Sequence, residues 1–506
     1  MKRLLQRTLL LFLFIEVAFL ASLKAQTLTI HDFSNGTYTP GSSVGVPFTI
    51  GAGGCIQQNN VFQLYLANSA GVTIGAPIGT FTGFYGTYVN GVIPNGTAPG
   101  TYTFVVKSTS PAATSAASAP FTVAAGPVVT AGVAGALLGT DTHVFGVCNG
   151  SPGKTFNFAS ASTGSASTIA NFFNESTLSA ESTLTLAPSG IFTAQTTNYT
   201  IIAQATNGTT IGTQAYTLLN NVVNNSFAVQ NSSTICLVAN SGATLSYFVD
   251  ITGANGIQKN YPGTTYNVTW GDGSSNNYTL CDIQNLGGQI SHTYTSGSCG
   301  HVANGKMNAF EVDISPKSPY CSAAVSPITS YANVLRPPTN DFTFPPAGCT
   351  NSTITFTNTS DPGQDAASTS NSCTNPNARY TWYVDGVPIA FSKTLSQTFT
   401  YTFPTKGTHT VTLELESSSS GICSAANVTK TICIQDPPQP SFTIPPSPIC
   451  STGPITPTNT SVVDQGCTPN TFIWTVTGPV AVTYSGGTNA NSTQPQFVFT
   501  QAGSYK

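Results

Sequence analysis

Apolar and polar residues alternate in short runs along most of this chain. Tyr266, Val268 and Trp270 are separated by polar neighbours, as are Ile354 and Phe356, and Val411, Leu413 and Leu415. A period of two sends one set of side chains to a core and the other to water, the pattern of half-buried strands. Val44–Ile50, Phe62–Leu66, Tyr199–Ala205 and Gln214–Leu219 read as further strands. Asp385-Gly386, between Val384 and Val387, has the form of a two-residue hairpin turn, because both positions tolerate positive φ. The pattern predicts an all-β chain.

The strands recur in a longer register. Phe342-Thr-Phe-Pro-Pro-Ala-Gly-Cys349 matches Phe442-Thr-Ile-Pro-Pro-Ser-Pro-Ile-Cys450, and Thr-Asn-Thr-Ser follows in each at Thr357–Ser360 and Thr458–Ser461. Trp382 or Trp474 comes next, then a Phe- and Thr-rich strand ending at Gly407 or Gly503. A more divergent copy precedes them, with Cys236, Trp270 and His292-Thr-Tyr294, and Cys321-Ser-Ala-Ala matches Cys423-Ser-Ala-Ala. Pro337–Pro338 and Pro437–Pro438 read as stiff linkers. The expected division is residues 1–25 as a signal peptide, then sandwiches at 26–125, 126–223, 224–337, 338–437 and 438–506. The last copy stops where the second continues through a whole further strand, His409 to Glu416, so the sequence reads as a fragment. Trp270, Trp382 and Trp474 fall one per copy, and each is expected to fill the space between two sheets.

Composition narrows the class. Charged residues make up 7% of the 506, against about 25% in an ordinary soluble protein, which excludes the clustered Lys and Arg that nucleic acid requires. Lys2, Arg3 and Arg7 precede the apolar run Leu9–Ile15, and Ala25 offers a cleavage point before Gln26. That order is a secretory signal, and no later stretch is long and apolar enough to span a bilayer. All 12 cysteines lie beyond it, an even count that reads as disulfides in an exported chain. Cys236–Cys321 and Cys349–Cys423 would each tie the two ends of one copy, with Cys349–Cys373, paralleled by Cys450 and Cys467 in the third copy, as the rival and Cys281–Cys299 as a further bridge. His292, Cys299 and His301, with Cys281 nearby, are the nearest approach to a zinc set, but the ligand spacing of a zinc knuckle is absent.

Val268-Thr-Trp270-Gly-Asp-Gly273 followed by His292-Thr-Tyr294 resembles the PKD (polycystic kidney disease) domain, an immunoglobulin-like sandwich. The second copy has Val384-Asp385-Gly386 in place of the longer turn, and the third lacks the acidic turn. Some PKD domains bind calcium, and the resemblance makes Asp272 the position to inspect. Gly100-Thr-Tyr-Thr-Phe-Val-Val-Lys-Ser-Thr-Ser-Pro111 resembles the closing hairpin of modules in large surface adhesins of gliding bacteria. Phe104 and Lys107 stand in the region where that family carries an arginine.

Motifs for catalysis fail. Gly41-Ser-Ser43-Val-Gly45 has the letters of a hydrolase elbow without its strand–elbow–helix context, and Gly153-Lys154-Thr155 lacks the first glycine of a phosphate loop. Phe81, Phe84, Tyr85 and Tyr88 form the densest aromatic patch, a sugar-stacking platform or a set of core residues. The chain therefore reads as a non-catalytic, cofactor-free string of immunoglobulin-like, PKD-like sandwiches, extracellular and either secreted or surface-held. Its expected role is adhesion or spacing through weak multivalent contacts with polysaccharide or cell-surface protein. The alternative is the stalk of an exported protease or polysaccharide hydrolase whose catalytic domain lies beyond residue 506.

Overall fold

The computed structural model describes residues 26–506 apart from 32–35, 52, 176, 178, 239–240, 322–325, 370–372, 417–422 and 450–452. The expected signal peptide lies outside the described residues. The chain forms two compact units. One holds the residues before Thr234 together with Thr244–His292 and Phe310–Tyr331; the other holds Thr234–Ala243, Thr293–Ala309 and Ala332–Lys506. The first tryptophan copy thus contributes strands to both.

In the first unit an 11-stranded sheet runs through two sandwiches. Nine of its strands lie in the order Ser179–Thr185, Ser167–Asn174, Thr197–Asn207, Thr210–Asn220, Thr37–Tyr38, Phe121–Val123, Gly100–Thr109, Val61–Asn68 and Gly79–Thr82; off this path Val144–Val147 pairs with Thr210–Asn220 and Ala112–Thr114 with Gly100–Thr109. The join is parallel, with Thr210 opposite Thr37 and Ile211 opposite Tyr38. Two three-stranded sheets complete the sandwiches: Leu28–Ile30, Ser43–Ile50 and Tyr88–Val92 for one, and Val133–Ala134, Lys154–Ser160 and Ser189–Ala194 for the other. Each sandwich keeps its own core. Phe48, Phe62, Phe104 and Phe121 pack in the first, and Phe156, Phe158, Phe172 and Phe192 in the second. The alternation is direct along Val61–Leu66, where Phe62, Leu64 and Leu66 are buried and the residues between them are not.

The join is polar. Thr213 is buried, and its hydroxyl accepts from the Gly45 N–H at 3.0 Å and lies 3.2 Å from the Tyr38 hydroxyl. A Cβ on Gly45 would lie 2.5 Å from the Ala215 nitrogen, so only glycine permits this approach. Elsewhere in this unit, Thr265–Thr269 pairs with Ser275–Thr279 and with Phe310–Lys317. A single helical turn, Leu280–Asn285, follows, opened by a capping box between Thr279 and Asp282.

In the second unit a five-stranded sheet lies across a core from a three-stranded one. The larger has the order Ala347–Cys349, Val428–Gln435, Gly407–Leu415, Tyr380–Val384 and Val387–Lys393; the smaller has Phe342–Thr343, Thr353–Asn358 and Phe399–Thr402. Asp385 and Gly386 turn the hairpin with φ of 48° and 80°. Residues 438–506 differ from a closed sandwich. Their named strands are two residues long, and Phe442 and Ile473 are 56% and 79% exposed.

Candidate functional site

Trp270 and Trp382 are fully buried. Trp382 stacks on Phe399 at 5.0 Å and meets Phe342 edge-on at 5.1 Å, between the two sheets. Trp474 departs from expectation: it is half-buried, lies in no strand, and bonds the Ser492 carbonyl through Nε1. The reason is local. Residues 438–506 hold no counterpart of Gly407–Leu415 and Val428–Gln435, the strands that bring Val411, Leu413 and Ile432 over Trp382.

Each of these two copies carries an acid–histidine pair, against the indole in the first and against Phe403 in the second. The His292 ring stacks on Trp270 with centroids 4.8 Å apart, and its Nε2 lies 2.7 Å from Asp272 Oδ2. Ser274 donates to Asp272 Oδ1 from both its N–H and its hydroxyl. Burial pushes the Asp272 carboxyl up, but the bonds from Ser274 and His292 outweigh it and hold the group below its ordinary range. In the next copy His409 Nδ1 lies 2.7 Å from Asp385 Oδ2. Burial acts against both charges there too, and the mutual bond prevails, lowering Asp385 and raising His409. These are not nucleophile relays. His292 faces the Ser274 hydroxyl through the nitrogen that holds Asp272, and that hydroxyl already donates to the carboxylate.

The donor set at Asp272 does not fit calcium. Both its oxygens are taken by protein donors and its neighbour is an imidazole, whereas Ca²⁺ takes six to eight oxygens. Among the described residues no group of three or more His, Cys, Asp or Glu side chains converges. The sulfurs suspected for zinc are in disulfides, Cys281 with Cys55 and Cys299 with Cys373. The hydroxyls of Ser42 and Ser43, in the elbow-like motif, are buried and accept the backbone N–H groups of Val129 and Ala131.

The aromatic patch is packing rather than platform. Phe81 and Phe84 lie against the first core, and Phe81 stacks on Phe62. Tyr88 donates to the His143 carbonyl. Tyr85 meets Tyr261 edge-on at 5.3 Å and donates to Glu175 Oε2 at 3.0 Å. Burial drives the Glu175 carboxyl up to about 7, only partly opposed by the bonds from Tyr85 and Thr200. A cavity of about 70 Å³ adjoins it, walled by His31, Phe48, Thr87 and Phe173. The Thr200 hydroxyl lies 3.3 Å from Glu175 Oε1 and 2.7 Å from the Thr87 hydroxyl, so the acid sits in a hydrogen-bonded joint that titrates near neutrality.

The disulfides overturn every expected pairing. The bridges are Cys55–Cys281, Cys148–Cys321, Cys236–Cys423, Cys299–Cys373 and Cys433–Cys467. Cys349 is free, and Cys450 lies outside the described residues. The reason is strand direction. Cys349 runs parallel to the last strand of its own copy and sits opposite Gln435, at that strand's far end. Cys423 precedes the near end at Val428, so a strand of eight residues, about 26 Å, separates them. A disulfide needs Cα atoms within about 7 Å, and an internal bridge cannot form. Cys55, Cys148 and Cys433 had no expected partner, and Cys467 bonds Cys433 rather than Cys450. Cys148 was traceable, since it follows the strand Val144–Val147 as Cys236 and Cys349 end theirs.

No family model matches the chain, and no curated protein matches it. Among solved structures it is similar to a D1–D4 ectodomain fragment of ICAM-5, at 9% identity and a TM-score of 0.29, covering 81% of this chain and 98% of that one. Immunoglobulin domains 1–5 of Sidekick-1 are similar at 11% identity and 0.22, over 82% and 81%. The insect immune protein hemolin is similar at 8% and 0.23, over 81% and 100%. The sheet pairing shows the class: an all-β chain of tandem β-sandwiches, carrying five disulfides among the described residues. No helix among the described residues is long and apolar enough to cross a membrane.

Proposed function

We propose that this protein is an exported, non-catalytic scaffold whose sandwiches present loops for weak, multivalent contact with cell-surface protein or polysaccharide. The carrying observation is the bridging pattern: each disulfide joins residues assigned by sequence to different sandwiches. A catalytic domain needs one organised cleft; a spacer needs modules that do not come apart. We also read 224–506 as PKD-like, on the Trp270-Gly-Asp-Gly273 turn and its partner His292, with sandwiches at 26–125, 126–223, 224–337 and 338–437 and a partial copy at 438–506. The protein belongs outside the cell, secreted or surface-held.

Binding of fluorescent beads coated densely with residues 26–506 to cells and to a glycan array tests the role, with soluble monomer as control. Bead retention with little monomer binding is expected, since linked weak contacts multiply. Equal failure of beads and monomer on every surface would remove the adhesive half of the reading, and hydrolysis of an arrayed glycan would overturn it.

A further inference from the structure

The joint between the first two sandwiches holds an acid with no cation beside it. Glu175 follows the strand Ser167–Asn174, and its N–H donates to the Asn198 carbonyl. The groups that meet its carboxylate are neutral: the Tyr85 hydroxyl at Oε2 and the Thr200 hydroxyl at Oε1. Residues 26–223 contain two lysines, Lys107 and Lys154, and no arginine. Lys107 lies over the Tyr65 ring, 4.6 Å from its centroid, and Lys154 stands opposite Ala194 in a separate sheet. The Lys and Arg ion pairs among the described residues are made with Asp341, Asp361, Asp436 and Asp464. A buried carboxylate without a counter-ion holds a proton instead, which is why burial lifts Glu175 to about 7.

The cavity that Glu175 lines has a volume of about 70 Å³, several times the roughly 10–15 Å³ that one water needs. Pro47 and Phe48 reach it from the first sandwich, and Phe173 from the second, where it stands opposite Thr200 in the ladder. His31 also lines it, with Nε2 3.0 Å from the Thr49 hydroxyl. His31, Thr87 and Phe173 are half-buried, so the cavity has a rim that a solute can reach. One carboxylate and a few hydroxyls supply too few oxygens for Ca²⁺, which takes six to eight. Aliphatic and aromatic walls around a single acid suit a methylene stem that ends in a cation.

We propose that this cavity is a socket for a primary ammonium on a short alkyl stem, with Glu175 as its counter-ion and Pro47, Phe48 and Phe173 around the stem. A free alkylamine and a lysine side chain both present that chemistry. The ammonium donates to the carboxylate in a charge-assisted bond, stronger than the neutral bonds from Tyr85 and Thr200.

Ionisation of Glu175 sets the pH dependence. Tyr85 donates to it, Tyr88, Tyr261 and Tyr320 feel its charge, and burial holds all four tyrosines protonated. Asp141 adds further negative charge at Tyr88 and Tyr320. Below pH 7 an ammonium must displace the proton from Glu175, and above it meets a carboxylate already ionised.

Calorimetric titration of the purified protein with n-butylammonium tests the socket. Affinity should be about tenfold higher at pH 8 than at pH 6, and binding at pH 6 should release close to one proton. 1-Butanol, of the same shape without the charge, should bind at least tenfold more weakly at pH 8. Glu175→Gln should cut amine affinity at pH 8 by at least tenfold and abolish its rise with pH, with the Phe172 amide still protected from exchange. Should that variant not fold, the comparison of amine with alcohol on the unaltered protein decides. Nα-acetyllysine amide distinguishes the sources: binding as tight as that of butylammonium assigns a lysine side chain, and butylammonium alone assigns a free amine. Equal affinity for amine and alcohol, affinity independent of pH, or no binding of either amine would overturn the proposal. These results stand apart from whether the protein is adhesive.

Discussion

The side-chain amide of Asn90 pairs with the backbone of Ala215 as a neighbouring strand would. Its Nδ2 donates to the Ala215 carbonyl at 2.9 Å, and its Oδ1 accepts from the Ala215 N–H at 2.8 Å. Asn90 stands in the strand Tyr88–Val92 of the first sandwich and Ala215 in Thr210–Asn220 of the second. A surface that would otherwise leave strand groups unpaired is closed by one side chain. Asn90→Ala is expected to cost about 2 kcal/mol, because two buried backbone groups lose their partners. Hydrogen exchange checks it: protection at the Ala215 amide should fall by at least tenfold while the Phe172 amide, in the second core, stays protected.

Glu175 makes the same junction sensitive to pH. Its folded pKa of about 7 lies above the unfolded value near 4.3, so the folded state holds the proton more tightly. Its favourable contribution is complete below about pH 4 and is lost as pH rises through 7. Glu175→Gln should flatten this slope and raise the melting temperature at pH 8 by roughly 3–8 °C. Thermal melts from pH 5 to 8 decide it; parallel curves for the two proteins would show that burial of Glu175 carries no such cost.

The Asp385–His409 pair predicts a bell rather than a slope. Asp385 is held below its ordinary value, so its contribution is present above about pH 4 and fades as acid protonates it. His409 is held above its own, so its contribution is full below about pH 6.5 and fades as alkali removes the proton. The sheet around Gly407–Leu415 should be most protected between these limits. His409→Asn should remove the alkaline fall, read as amide exchange at Thr410, whose N–H donates to Asp385.

The three indoles should separate in fluorescence. Trp270 and Trp382 are closed to solvent and Trp474 is half-open. Acrylamide should quench one component readily and leave the rest nearly untouched. Trp474→Phe should abolish the accessible component and shift the remaining emission to the blue.

The bridges interleave, with consequences under load. A pull on both ends passes from Cys55 to Cys281, back along the chain to Cys236, across to Cys423 and then from Cys433 to Cys467, bypassing the rest of the polypeptide. Roughly a quarter of residues 26–506 remains extensible, at about 3.5 Å per residue. Single-molecule stretching should therefore show a contour length near one-quarter of that reached after reduction. Equal lengths in both states would mean that these bridges do not form.

Legibility in the sequence followed the range of the interaction. Phe62, Leu64 and Leu66 announced their burial by alternation, and Asp385-Gly386 its hairpin by tolerance of positive φ, because neighbours along the chain set both. Trp270 and Trp382 could be placed between sheets from the repeat alone. Asn90 with Ala215 and Tyr85 with Glu175 left no trace, since each joins strands far apart in sequence and neither partner is unusual where it stands.

The cysteines show the division most clearly. Residue order alone determined an all-β, disulfide-bearing chain of repeated sandwiches, because periodicity, turn chemistry and cysteine count are local or additive properties. Which sulfurs meet was decided only by the tertiary structure. A strand added in parallel carries its cysteine to the far end of its own sandwich, where the next one is seated, and a covalent bond forms only between atoms that the fold has already brought within reach.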